Sequence, residues 1–309
     1  MKKLLYIILF LVAIIGTALL LLQKDSVPIE TLRSKYTNEH SRFIELEGMN
    51  VHYRIEGEGQ PLVLVHGTGA LLQTWDPWTD SLKKYYKVIR MDIPAFGLTG
   101  PNPTGDYSSE YYVQFIDTFT KAIGVDSFIL GGNSLGGEIA WKYALAHPER
   151  VSHLLLLAPA GSPVQEYDLP FFSVFRLARI PWLADKFTAL DSKVLVKRAI
   201  YQAYEKDELI TPQKEEMYYD ISMREGNREA FVQRIQQVSQ DPILNPSKVK
   251  IPSLILWGDK DAVLPIRQLE GFRSMPNATI IVYDGVGHTP QDEVAAQSVT
   301  DALKFLRGK

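Results

Sequence analysis

The amino-acid sequence predicts an α/β fold, a mostly parallel sheet with helices on both faces and a helical insertion. Three observations carry this. Short apolar runs alternate with stretches of helical spacing. That rhythm stops between about Gly161 and Asn245, where only helical periodicity is left. It then resumes to the end of the chain. Strand–helix–strand alternation implies right-handed crossovers and parallel pairing.

The elements follow in order. FIELEG and NVHYRIEG read as two strands joined at Glu47-Gly48, a tight turn that pairs them antiparallel. PLVLVHG is a short continuous apolar run, hence a buried strand. LLQTWDPWTDSLKKYY has helical spacing. KVIRMDIP, SFILGG and VSHLLLLAP are strands, separated by the helices SSEYYVQFIDTFTKAIG and SLGGEIAWKYALAHP. After the insertion come PSLILWGD, ATIIVYDG and the closing helix DEVAAQSVTDALKFL, which makes eight strands in all. The insertion is dense in apolar and aromatic residues (Phe171, Phe172, Phe175, Trp182, Leu183, Phe187) and reads as a cap over the sheet's C-terminal edge. Those aromatic residues would line an acyl pocket or form ordinary helix–helix core.

The chain has 309 residues, a net charge of −3 and no cysteine. Disulfides, thiolate nucleophiles and cysteine-bound metals are therefore excluded. No basic stripe of the kind nucleic-acid binding uses is present.

The N-terminus stands apart. Leu4 to Leu22 carries no charge. As a helix rising about 1.5 Å per residue it nearly spans a bilayer core of roughly 30 Å. The expectation is an uncleaved single-pass anchor over residues 1–23. The alternative is a cleaved signal peptide and a secreted domain, which calls for a shorter apolar core and a small-residue site. Lys2 and Lys3 precede the span, which puts the N-terminus in the cytoplasm and the bulk outside. Residues 24–40, polar and with Pro28, read as a linker. The core then occupies 41–160 and 247–309, and the cap 161–246.

Open α/β sheets bind ligands beyond the carboxyl ends of their strands. After SFILG comes Gly132-Asn133-Ser134-Leu135-Gly136, a G-x-S-x-G nucleophile elbow where a strand meets a helix. Glycines two residues either side of the serine relieve a close approach, and Gly137 suits close helix packing. Gly131 has no such explanation. A P-loop would need lysine where Gly137 stands, and a dinucleotide fingerprint would need glycine where Leu72 stands. Nucleotide binding is thereby disfavoured.

A serine hydroxyl needs a base. On this architecture the order is Ser, then acid, then His. Of His40, His52, His66, His147, His153 and His288, only His288 follows both the serine and the post-strand acids. The acid is Asp259 or Asp261, after SLILW, and spacing does not choose between them. Oxyanion donors would be the backbone N–H groups of Leu135 and, from the loop His66-Gly67-Thr68-Gly69-Ala70, of Thr68. His66 reads as a structural hydrogen-bonding group.

Together these residues resemble the α/β-hydrolase fold superfamily over about Ser41 to Leu306. Its marks are the His66-Gly67 turn, Asp92-Ile93-Pro94-Ala95-Phe96-Gly97, GNSLGG, WGDKDAVLP with Pro265, and GHTPQDE. The resemblance implies Asp261 as the acid and His288 as the base. Ala95 stands where that family usually has glycine. Haloalkane dehalogenases and epoxide hydrolases carry Asp at the elbow, and Ser134 argues against both. The elbow is similar to that of meta-cleavage-product C–C hydrolases, but Thr68-Gly69-Ala70-Leu71 and Thr289 depart from their usual pattern. An anchored chain with an aromatic cap is similar to monoacylglycerol lipases and other lipid esterases. The implied reaction is hydrolysis of apolar acyl esters, with no metal or organic cofactor. C–C hydrolysis, perhydrolysis or acyl transfer on the same residues is the alternative, and a non-catalytic binding protein the remote one. The implied partners are a small ester or lipid and the membrane, with no nucleic acid.

Overall fold

The computed structural model describes residues 6, 23–164, 188–189 and 191–308. Eight strands form one sheet: β1 (Ser41–Leu46), β2 (Met49–Glu56), β3 (Gln60–Val65), β4 (Tyr86–Met91), β5 (Phe128–Asn133), β6 (Val151–Leu157), β7 (Ser253–Gly258) and β8 (Ala278–Tyr283). Their spatial order is β1-β2-β4-β3-β5-β6-β7-β8. β2 pairs antiparallel with both β1 and β4, and every other pairing is parallel. The β1–β2 turn puts Glu47 at φ 52° and Gly48 at φ 77°. Two successive positive φ values match the right-handed twist of a two-residue hairpin.

Side chains alternate across a strand. Val63, Val65, Leu130 and Leu156 point to one face, where Phe115 and Phe119 of α3 (Ser109–Ala122) and Trp141 of α4 (Leu135–Ala146) cover them. Leu62, Leu64, Leu155 and Leu157 point to the other. There they meet Trp78 of α2 (Asp76–Leu82) and Val299 of α8 (Ala295–Leu306). The sheet is thus buried on both faces, which is why its strands read as apolar runs.

Between β6 and β7 the described residues form three α-helices: α5 (Lys193–Ala203), α6 (Pro212–Ser222) and α7 (Asn227–Gln237). The aromatic cluster from Phe171 to Phe187 lies outside the described residues, as does the apolar run Leu4–Leu22 apart from Tyr6. Among the described residues no helix is long and apolar enough to cross a membrane.

The linker reading of residues 24–40 needs correction. Residues Ile29–Tyr36 form a helix, α1. Its Leu32 is buried with Leu71, Leu98 and Ile221, joining core and cap. Lys35 pairs with Glu216 and Asp220 of α6, each at 2.6 Å. Upstream, Val27 N–H donates to Met223 O at 2.7 Å, and Glu225 N–H donates to Val27 O at 3.0 Å. The segment is a strap on the cap. Tertiary contacts, rather than its own weak helical pattern, order it.

Candidate active site

The elbow is built where β5 meets α4. Ser134 sits at φ 56°, ψ −118°, a sparsely populated conformation costing on the order of 1–3 kcal/mol. Its surroundings fix it there. Ser134 N–H donates to Leu157 O, and Ser134 O accepts from the N–H groups of Glu138 and Ala160, each at 3.0 Å. A Cβ at Gly132 would lie 2.1 Å from Gly136 O, and one at Gly136 would lie 2.1 Å from Val65 O. Gly137 lets the helix approach Pro159, whose Cα an added Cβ would meet at 2.8 Å. Gly131 gains an account as well. A Cβ there would press on Leu64 Cδ2 at 2.7 Å, so this glycine makes room for a core leucine of the next strand.

Asp261 Oδ2 lies 2.7 Å from His288 Nδ1. Asp261 Oδ1 accepts from Val263 N–H at 2.8 Å and Leu264 N–H at 2.7 Å, which fixes the carboxylate plane. With a carboxylate against it, Nδ1 carries the proton, and Nε2 is left as the acceptor. Asp259 is turned elsewhere. Its Oδ1 accepts from Gly285 N–H at 2.7 Å, and it pairs with Lys260 at 3.2 Å.

Ser134, His288, Thr68 and Leu135 all line one cavity of about 280 Å³. Leu135 is the first residue of α4, so its N–H has no acceptor within the helix and lies at the positive end of the helix dipole. The Thr68 loop packs directly on the elbow, since a Cβ at Gly67 would come 3.0 Å from Ser134 Cβ. His66 braces that loop. Its Nδ1 lies 2.8 Å from Gly67 O, while Ile93 N–H donates to its Nε2 at 3.1 Å. One ring nitrogen must therefore accept and the other donate, so the imidazole is neutral. Burial drives its pKa below the ordinary histidine value, against the opposing charge of Asp92.

Asp92 organises the loop behind. It accepts from Leu72 N–H and Leu98 N–H at 2.8 Å each, and from the His52 ring at 2.8 Å. Burial pushes its carboxyl up, but the His52 hydrogen bond and charge outweigh that and hold it below the usual carboxylate range. In the same loop Ala95, in the place of the family's glycine, adopts φ 81°.

Two further residues were not legible as site residues in the sequence. Asn133 Nδ2 donates to Leu157 O and to His288 O, each at 3.1 Å, and so ties the elbow to the histidine loop. It occupies a position that the elbow pattern leaves unspecified. Glu293 joins the histidine loop to the cap. It accepts from Gly287 N–H at 3.0 Å, and from the N–H groups of Glu205 and Lys206 at 2.9 and 3.2 Å. Beside it His288 N–H donates to Ala203 O at 2.8 Å. Burial raises the Glu293 carboxyl, and these backbone donors partly offset the rise. Cap and core also enclose an ionic group at the cavity wall: Glu138 pairs with Lys142 at 2.7 Å, and Arg234 with Asp241 at 2.6 Å.

The chain belongs to the α/β hydrolase fold family, whose sequence pattern matches residues 60–295. It is similar to the 2-hydroxy-6-oxo-6-(2'-aminophenyl)hexa-2,4-dienoic acid hydrolase of Metapseudomonas resinovorans, 28% identical over 86% of this chain and 90% of that one. It is also similar to lipase 3 of Moraxella sp. strain TA144, 26% identical over 81% of this chain and 78% of the lipase. Among solved structures, a membrane phospholipase A described as a bacterial virulence factor superposes with a TM-score of 0.73. It is 24% identical, over 100% of this chain and 99% of the other, a likeness that shows the fold. The protein is a hydrolytic enzyme of this family.

Proposed function

We propose that the protein is a membrane-anchored serine hydrolase that cleaves carboxylic esters of apolar acyl groups. Ser134 Oγ attacks the ester carbonyl and gives its proton to His288 Nε2, while Asp261 orients the ring and stabilises the imidazolium. The N–H groups of Thr68 and Leu135 take the oxyanion. His288 then protonates the leaving alcohol. Water repeats the sequence on the acyl-enzyme, releasing the acid and restoring Ser134. Leu4–Leu22 anchors the chain, with the N-terminus cytoplasmic and the hydrolase domain outside.

The observation that supports this best is a serine held at φ 56° on the wall of the cavity that the Asp261-bonded His288 also lines. The described lining includes Leu195, Val196, Phe231, Ile235, Val263 and Leu264, which suits an acyl chain. C–C hydrolysis on the same residues is the second reading, and the similarity to the dienoic acid hydrolase favours it. A paired assay separates the two. Hydrolysis of p-nitrophenyl esters, faster with octanoate than with acetate, supports the ester reading. Cleavage of a 2-hydroxy-6-oxo-dienoate with no ester turnover supports the other.

A further inference from the structure

The described chain that follows the apolar run is fixed against the cap. Gln23 directly follows the apolar run, and Lys24 is already bound. Lys24 N–H donates to Ala189 O at 3.1 Å. Its Nζ pairs with Asp191 at 3.4 Å and lies 5.1 Å from the centroid of the Tyr219 ring. Arg228 donates to Lys24 O at 3.1 Å and to Ser26 Oγ at 2.9 Å. Asp191 and Arg228, which hold Lys24, are themselves lining residues of the cavity that contains Ser134. Lys24, two residues past the apolar run in the sequence, therefore lies against the cavity's own wall.

The next element continues that wall. On α5, Leu195, Val196 and Ala199 line the cavity. The opposite side of the same helix exposes Lys193, Lys197, Arg198 and Val194, the last 77% accessible. Lys197 pairs with Glu215 at 3.2 Å, and Lys193 lies over the Tyr219 ring. Basic residues flanking an exposed apolar side chain suit the headgroup layer of an anionic bilayer.

We propose that this outer side of α5 rests on the bilayer surface, so that the cavity takes its substrate from the membrane and the substrate class is a bilayer-resident lipid acyl ester. The proposal rests on the ester and anchor readings above. Its occupant is an anionic phospholipid surface, set by where the apolar run ends and by the charge of the exposed side. The strap holds cap and anchor in one register, and the hydrolysable bond then needs only to rise from the headgroup layer into the cavity.

The test uses the full chain in vesicles of phosphatidylethanolamine and phosphatidylglycerol. Ten Gly/Ser residues are inserted between Gln23 and Lys24, which leaves every strap contact in place. A flexible insert of that length adds a root-mean-square reach of about 18 Å and dilutes the cap away from the surface. Fatty-acid release from the vesicles should fall about tenfold, while hydrolysis of dissolved p-nitrophenyl butyrate stays within about twofold. K193E/K197E/R198E should lower lipid release in the same selective way and steepen with falling salt. Unchanged lipid release in both variants overturns the proposal, as does a wild type that hydrolyses butyrate but no bilayer lipid. A wild type inactive on both substrates refutes the ester reading instead. A wild type extracted by alkaline carbonate refutes the anchor.

Discussion

His288 Nδ1 and Asp261 Oδ2 lie 2.7 Å apart, while Asp259, two residues upstream of Asp261, faces Gly285. The two aspartates are chemically identical and adjacent to one strand end, so substituting each separates their tasks. Asp261→Asn should lower kcat by about 10⁴, because an amide there favours the wrong ring tautomer. Asp259→Asn should leave kcat within about threefold, since its side chain serves the Gly285 turn and Lys260. Ester kinetics on both variants check this, and equal losses would contradict the assignment.

The elbow glycines should rank by what an added methyl meets. Gly136→Ala drives a Cβ to 2.1 Å from Val65 O, a backbone atom of the central sheet. It should destabilise by roughly 3 kcal/mol or more. Gly131→Ala meets the end of the Leu64 side chain, which can rotate, and should cost about 1 kcal/mol. Urea denaturation midpoints give the order.

At Ala95 the change runs the other way. Its φ of 81° disfavours any residue with a Cβ by roughly 1–2 kcal/mol. Ala95→Gly should therefore stabilise the protein by about 0.5–1 kcal/mol, after the added freedom of the unfolded chain is subtracted. A lower melting temperature would show that the alanine methyl matters more to packing than its backbone costs.

His66 gives the pH dependence a sign. It is held neutral when folded, with its pKa lowered by burial, but takes a proton near pH 6.5 when unfolded. The unfolded state then binds more protons, so stability is complete above about pH 6.5 and declines as pH falls below it. His153, also lowered by burial, adds to the same decline. Asp92, held low, contributes until pH drops beneath the ordinary carboxylate range. Urea midpoints at pH 8 and pH 5.5 should differ in the wild type and differ less in His66→Gln.

Glu293 should couple cap and histidine loop. Removing its carboxylate leaves the N–H groups of Gly287, Glu205 and Lys206 without their acceptor. Glu293→Ala should cost about 3 kcal/mol, at roughly 1 kcal/mol or more for each orphaned donor. Amide exchange should quicken at Glu205 and Gly287 together. Acceleration at only one of the two would deny the coupling.

What the sequence disclosed follows from how local each signal is. The eight strands were legible because both sheet faces are covered, so β3, β5, β6 and β7 read as unbroken apolar runs. Ser134 is proposed from the elbow pattern and His288 from chain order, while only the resemblance prefers Asp261 to Asp259. The hydrogen bonds that distinguish the two aspartates join residues more than twenty positions apart, which spacing does not encode. Glu293 and Asn133 were invisible for the same reason, since most of their partners are backbone groups far along the chain. The strap failed as a linker reading because its order comes from one buried leucine and from α6, far along the chain. Gly131 needed Leu64, its neighbour across the sheet, before its place made sense.

As the proposed nucleophile, Ser134 should react with an organophosphorus probe. The full-length protein is incubated with a fluorophosphonate, and the adduct is located by peptide mass spectrometry, with folded Ser134→Ala as control. One phosphonylated site at Ser134 is expected, with no labelling in the variant and a fall in ester kcat of roughly 10⁶. Folded wild type that stays unlabelled, or a variant that labels equally, would contradict it.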